Sequence, residues 1–275
     1  MTDTLPPKPT FVIIGAQKSA TRWLRVNLGR HPEIFTVARE LHYWNLAHST
    51  HGDGRLRPIE WYRNQFAGWN GEPFLGEATP GYMIWRHTPS RVALRMRLGI
   101  PDARLIALLR NPIDRAQSAL RHHARRNRVP PEARLVDVLR ERRPVTLDRL
   151  CLVTGGWYGA SLHPFQKAFG DRLLVLLHDD VATTPVRVYE TAVAHVGAAG
   201  GFIPDTIDRV VFGSGPRRGS DALTPEERAE IWTYFRDDVA RLEEMLDRDL
   251  SLWDPTQSSA PTVTSADLPV AVPGA

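Results

Sequence analysis

Phe11-Val12-Ile13-Ile14-Gly15-Ala16-Gln17-Lys18-Ser19-Ala20-Thr21-Arg22 is the stretch that decides the fold. An apolar, β-branched run stops at Gly15, small and polar residues surround one lysine, and a helix-compatible segment, Trp23 to Gly29, follows. A strand, a tight turn and a helix start in that order aim backbone N–H groups and the positive helix end at one point, which is how a chain cradles a phosphate-like anion. Lys18 stands out against its background. The only lysines are Lys8, Lys18 and Lys167, and every other Lys/Arg position is arginine. An ammonium is a compact point charge that suits a phosphate or sulfuryl oxygen, whereas a guanidinium imposes planar, bidentate geometry. A solvated lysine in a strand-to-helix loop is the plainer reading; the turn around Lys18 favours the anion.

The stretch has the mechanics of a P-loop without its Walker A sequence. That motif needs a glycine directly before Lys-Ser/Thr, and Gln17 stands there instead. Working outward, apolar strands alternate with helical stretches. Strands are expected at 10–14, 33–37, near 73–76, 104–109 and 172–177. Helices are expected at 20–30, 58–67, 89–98, 113–127, 133–140, 157–169, 184–196 and 225–247. This alternation implies an α/β, three-layer fold with a central parallel sheet and a P-loop-like loop after the first strand. Ligands of such sheets bind at the carboxyl ends of the strands. Residues 1–9 are expected to form an N-terminal extension, 10–253 one domain, and 254–275, rich in Pro, Ser, Thr, Ala and Val, a tail without regular structure.

Composition narrows the function. The 275 residues suffice for a substantial core. The net charge of +4 comes from scattered residues and does not suggest nucleic-acid binding. A single cysteine, Cys151, rules out an internal disulfide framework. No apolar run reaches the roughly 18 residues of a membrane span, and Met1 to Pro9 lacks a signal-like apolar core. A cytoplasmic protein is expected. No spacing of ligand residues suggests a metal.

The strand at 104–109 is followed by Arg110-Asn111-Pro112-Ile113-Asp114-Arg115-Ala116-Gln117-Ser118. Asn111 suits a helix N-cap and Pro112 the first helical position. Arg110 is thereby delivered to the strand end, where a nucleotide-hydrolysing P-loop protein would carry an Asp for magnesium. With both segments in view the chain resembles the sulfotransferases that use 3′-phosphoadenosine-5′-phosphosulfate (PAPS), in particular the heparan sulfate sulfotransferase-like branch and its bacterial relatives. Lys18-Ser19-Ala20-Thr21-Arg22 matches that family's 5′-phosphosulfate loop, with small residues replacing glycines. Arg110 and Ser118 match the Arg and the Ser eight positions later that hold the 3′-phosphate, and His31-Pro32 is a further likeness. The resemblance covers about Pro9 to Trp253.

It also assigns roles. Arg39-Glu40-Leu41-His42-Tyr43-Trp44-Asn45 matches the segment whose Glu is the family's general base. Glu40 is therefore expected to take the proton from an acceptor hydroxyl, desolvated by Leu41 and Trp44. His42 is the rival base, and a solvated loop Glu the reading without function. Gly76-Glu77-Ala78-Thr79-Pro80-Gly81-Tyr82 resembles the Glu-Lys-Thr/Ser-Pro-x-Tyr turn, but Ala78 replaces a Lys that serves catalysis or acceptor binding in several relatives. The basic loop that closes on the 3′-phosphate corresponds to 213–220, with Arg217 or Arg218 as the contact. Tyr158 is a weaker candidate on the adenine side. The aromatics from Tyr43 to Trp85 could line an acceptor cleft, although most should be packing. His122 and His123, with Arg121, Arg125 and Arg126, either face an anionic acceptor or form a solvated basic face.

The resemblance thus implies a sulfotransferase that moves a sulfuryl group from PAPS to a hydroxyl of a glycan, glycolipid or natural product, leaving 3′-phosphoadenosine 5′-phosphate (PAP), with no metal. Lys18 would neutralise the leaving oxygen. Two other readings stand beside it: a P-loop-type nucleotide kinase or hydrolase, and a catalytically silent anion-binding protein. The sequence leaves the acceptor and the oligomeric state open.

Overall fold

A computed structural model describes residues 5–45, 57–84, 88–141, 149–209 and 222–257. Five parallel strands form one sheet: β1 (Phe11–Gly15), β2 (Ile34–Thr36), β3 (Phe74–Ala78), β4 (Arg104–Leu109) and β5 (Leu173–Leu177), in the order β2-β3-β1-β4-β5. β1 lies in the middle, with Phe11 opposite Gly76 on one side and Arg104 on the other. Every residue of β1 and β5 is buried. Parallel strands covered on both faces must be apolar throughout, which is why these strands read as unbroken hydrophobic runs.

The helices are α1 (Thr21–Leu28), α2 (Ile59–Asn64), α3 (Pro89–Gly99), α4 (Pro112–Arg125), α5 (Leu135–Glu141), α6 (Tyr158–Phe169), α7 (His178–Thr183), α8 (Pro185–Val196), α9 (Pro225–Trp232) and α10 (Arg236–Leu246). Side chains alternate across the sheet. Phe11, Ile13, Ile106 and Leu108 meet Trp23 and Leu24 of α1 and Tyr189 and Val193 of α8. Val12, Ile14, Leu105 and Ala107 join the larger core with α3, α4, α6 and α10. The three-layer α/β expectation holds.

Two local expectations fail. The single helix expected over 225–247 is two. Thr233, Tyr234 and Phe235 close i→i−3 bonds onto Glu230, Ile231 and Trp232, and this tightened turn swings Phe235 into the core, fully buried. The short α7 was not anticipated; it starts directly after β5, where Asp180 pairs with Arg248 at 3.1 Å. Beyond residue 253, the residues up to 257 form a turn in which Asp254 accepts from Thr256 N at 2.8 Å. The expectation for the remainder of the tail concerns residues outside the described ones. Among the described residues no helix is long and apolar enough to cross a membrane.

Candidate active site

The site is built on the carboxyl ends of β1 and β4. At Gly15 a side chain is impossible, because a Cβ there would fall 2.1 Å from Met83 Sδ. Past Gly15 the chain turns sharply. Lys18 and Ala20 both adopt left-handed backbone conformations (φ 75° and 65°), and Ser19 N donates to Ala16 O at 3.3 Å. The turn delivers the chain into α1 with no side-chain cap and no acidic residue in the first turn. Its first N–H groups are thus left for something outside the helix. By contrast, Asn111 caps α4 by accepting from Ile113 N and Asp114 N, and Thr224 forms a capping box with Glu227 on α9. Ser19 Oγ is fully buried under the loop beside the Tyr158 hydroxyl and makes no hydrogen bond of ordinary geometry among the described residues. Such a group calls for a partner. A buried, under-used hydroxyl beneath an uncapped helix start fits a phosphate or phosphosulfate. Thr21 is buried beside it, whereas Arg22 points outward.

β4 supplies Arg110, whose Nη1 reaches Lys18 O at 3.5 Å and whose carbonyl accepts from the Tyr158 hydroxyl at 2.9 Å. Tyr158 itself is buried, and burial pushes its hydroxyl up to about 12. It supports the loop from behind rather than offering a free face. Asn111 Nδ2 donates to Trp253 O at 3.1 Å, tying the chain's 251–253 turn to the start of α4. Ser118 sits on the buried side of α4.

Three residues before Ser118 is a group the sequence did not single out. Arg115 is fully buried, donates to the carbonyls of Cys151 (2.7 Å) and Leu152, and has its Nε and Nη1 without a hydrogen-bond partner among the described residues. Spacing could have found it, because positions 115, 118 and 122 share one helical face. Arg115 places a fixed positive charge behind the loop. Burial first, then Arg125, hold the Lys18 ammonium below its ordinary value; Arg115 and Arg126 add to this, while Glu40 opposes it. His122 is held down at about 4, first by burial and then by Lys18 and Arg126. The C-terminal half of α4 therefore faces the lysine with concentrated positive charge. His123 is set apart from this face, its Nε2 bonded to Leu150 O at 2.9 Å.

Glu40 and His42 come together on the other side of Lys18. His42 takes a left-handed conformation (φ 52°), and its Nε2 lies 3.0 Å from Glu40 Oε2. Asn45 Nδ2 donates to Gly81 O (3.3 Å) and faces His42 Nδ1 (3.2 Å). The carbonyl partner fixes the amide orientation, so Nδ1 is the acceptor and Nε2 carries the proton toward Glu40. The Glu40 side chain is 52% exposed. Leu41 and Trp44 do not enclose it, because both are drawn into the core.

Of the remaining candidates, Arg217 and Arg218 lie outside the described residues, as does Trp85. The chain approaches them from a firmly held point, since Trp23 Nε1 donates to Ile207 O at 2.9 Å. The aromatic group around Tyr43 is mainly core: Trp44, Tyr62, Phe66 and Tyr82 are buried, with Tyr43 stacked on Tyr62 at 4.6 Å. His31 is structural, its ring joining Ala199 O and Glu33 N.

Comparison with known proteins identifies the family. Residues 8–188 match the sulfotransferase domain family model. A crystal structure of a sulfotransferase from Alicyclobacillus acidocaldarius superimposes with a TM-score of 0.70 at 29% identity, over 90% of this chain and 99% of that one. The membrane-associated sulfotransferase kil1 of Dictyostelium discoideum is 33% identical over 130 residues, 45% of this chain and 25% of the relative. A bifunctional heparan sulfate N-deacetylase/N-sulfotransferase 1 from Xenopus laevis is 25% identical over 270 residues, 86% of this chain and 30% of the relative. The chain thus spans a quarter to a third of the length of these curated relatives. An uncapped phosphate-type turn bearing Lys18, Arg110 at the neighbouring strand end and a domain match over most of the chain lead to one assignment: the chain belongs to the sulfotransferase domain family.

Proposed function

We propose that this protein transfers the sulfuryl group of PAPS to an acceptor hydroxyl, with Glu40 as general base. The observation that carries the reading is the convergence of a half-buried Lys18, an uncapped helix start and the buried Ser19 hydroxyl at the end of β1, with Glu40 near enough to act on the lysine electrostatically. PAPS, when bound, supplies the sulfuryl group and a phosphate leaving group. Lys18, Ser19, Ala20, Thr21 and Arg22 would hold its 5′ end through the α1 N–H groups and the ammonium. Arg110 and Ser118 would hold the 3′-phosphate, with Arg217 or Arg218 closing from the loop.

The chemistry required of the protein is small. Lys18 Nζ sets a positive charge where negative charge grows on the leaving oxygen. Glu40 accepts the proton of the attacking hydroxyl. His42, with its Nε2 proton directed at Glu40, orients that carboxylate and is not itself free to take a proton at Nε2. This supports Glu40 over His42 as the base.

Relatives that carry heparan sulfate names suggest a glycan acceptor, and Ala78 in place of the family's lysine speaks for a different one, such as a small natural product. We take residues 10–253 as the functional unit and the cytoplasm as its place of work. A nucleotide kinase is disfavoured by Gln17 before Lys18 and by Arg110 at the strand end where a magnesium-binding Asp belongs. Thermal denaturation decides between them. PAP without magnesium is expected to stabilise the protein, by about 2.7 kcal/mol at a hundredfold excess over Kd. A requirement for magnesium and ATP would overturn the reading.

A further inference from the structure

Glu77 is a carboxylate near the carboxyl end of β3, completely buried and not engaged by any cation within bonding distance among the described residues. Three hydroxyls donate to it. Thr79 Oγ1 reaches Oε2 at 2.6 Å, while Tyr62 and Tyr82 hydroxyls reach Oε1 at 2.7 and 2.8 Å. A carboxylate can only accept, so it fixes the direction of each hydroxyl proton and turns the lone pairs outward. Those lone pairs are used. Thr79 Oγ1 accepts from Leu41 N at 3.0 Å and from His42 N at 3.4 Å, and Tyr82 accepts from Tyr43 N at 3.2 Å. Three consecutive backbone N–H groups of the segment that follows Glu40 hang on one buried acid through two hydroxyls.

The same turn is fastened to the anion loop. Thr79 N donates to Ile13 O at 3.0 Å, and Met83 covers Gly15. Gly81 leaves only enough room for the His42 ring, since a Cβ there would lie 3.0 Å from His42 Cε1. The 37–45 segment has no regular secondary structure of its own beyond a turn at its end. What holds His42 in its left-handed conformation, with its ring against Glu40, is this set of bonds.

We propose that Glu77 is a positioning residue: through the polarised hydroxyls of Thr79 and Tyr82 it holds the 41–43 backbone and so sets the Glu40–His42 pair against the Lys18 loop. The proposal rests on Glu40 being the base only for its consequence in catalysis; the hydroxyl relay stands apart from it. Replacing the carboxylate by an amide introduces a donor. Placed at Oε2 it opposes the Thr79 hydroxyl, which serves the Leu41 and His42 N–H groups; placed at Oε1 it opposes those of Tyr62 and Tyr82, the second of which serves Tyr43 N.

Hydrogen–deuterium exchange on the full chain tests this without any acceptor substrate. Thr79→Val keeps the volume and removes the acceptor of two of the three amides, so exchange at Leu41 and His42 should rise at least tenfold while Tyr43, held by Tyr82, changes less, and Thr79→Ser should restore protection. Tyr62→Phe is the discriminating control. It strips a bond from Glu77 but touches no 41–43 amide, so a purely structural role for Glu77 predicts the same loosening as Thr79→Val, and the relay predicts none. With an acceptor in hand, Thr79→Val and Glu77→Gln should lower kcat tenfold or more while PAP affinity, read by calorimetry, stays within twofold. Unchanged exchange in Thr79→Val, or equal loosening in Tyr62→Phe, would overturn the proposal. Glu40→Gln should leave the 41–43 amides protected, so transfer that survives Glu40→Gln would reject the base assignment and leave the relay untouched.

Discussion

At Lys18 the protein spends stability on function. Burial and the surrounding guanidinium groups press its ammonium toward neutrality, and only Glu40 among its stronger electrostatic neighbours favours the charge. A bound dianion would reverse this balance, so the lysine should bind PAP through charge-assisted hydrogen bonds. Lys18→Met and Arg110→Met are each expected to weaken PAP binding by about 1.5–3 kcal/mol in calorimetric titration. Lys18→Arg should not restore it, because a planar fork does not fit a turn built around a point charge. Glu40 behaves differently. Its carboxylate touches His42 and not the phosphate loop, so Glu40→Gln should keep PAP affinity within about twofold while the transfer rate falls by a factor on the order of 100–10,000. Loss of PAP binding in Glu40→Gln would mean that the residue holds the loop instead.

α4 is the element in which structure and electrostatics meet. Its N-terminus is sealed by Asn111, its inner face carries Arg115 and Ser118, and its last turns bring His122 toward Lys18. The folded state holds His122 at about 4 against an ordinary 6.5, so between those values the unfolded chain binds more protons than the folded one. Stability contributed at this position is therefore complete above pH 6.5 and lost as pH falls toward 4. Chemical denaturation of the PAP-free protein should show this slope, and His122→Asn should reduce it, the remainder belonging to His123, His178 and His195, which burial also holds below their ordinary values. PAP should reduce the slope as well, since a dianion beside Lys18 offsets the repulsion on the imidazolium. Near the start of α4, the kink between α9 and α10 buries Phe235 beside Gly156 and Pro112. Phe235→Ala should cost about 3–5 kcal/mol in denaturant titration, with PAP affinity of the folded fraction retained.

Across the whole molecule, what the sequence revealed followed from burial. Parallel strands covered on both faces cannot hide their apolar runs, so all five were visible, with edges displaced by a residue or two. Helix starts were visible where a capping residue or Pro announced them, as at Asn111-Pro112 and Thr224-Pro225. The α9–α10 break was not, because Phe235 fits the face of a continuous helix equally well until the tightened turn at 233–235 is seen. Arg115 and Glu77 were missed for a common reason. Charged residues read as solvated unless their neighbours say otherwise, and the neighbours that bury them come from distant segments, 150–152 for Arg115 and 62 and 82 for Glu77. Lys18, Glu40 and Arg110 stood out as candidates because each follows a strand, the one place where local sequence dictates proximity in an α/β sheet.

The central claim is a sulfuryl transfer that depends on Lys18 and Glu40, and radiosulfur-labelled PAPS tests it most directly. Incubated with a cell extract as acceptor source, the wild-type protein is expected to move label into an organic product and release PAP stoichiometrically without magnesium, whereas Lys18→Met and Glu40→Gln proteins of equal stability should not. Label transfer that is absent from the wild type, or that persists in both variants, would contradict the account.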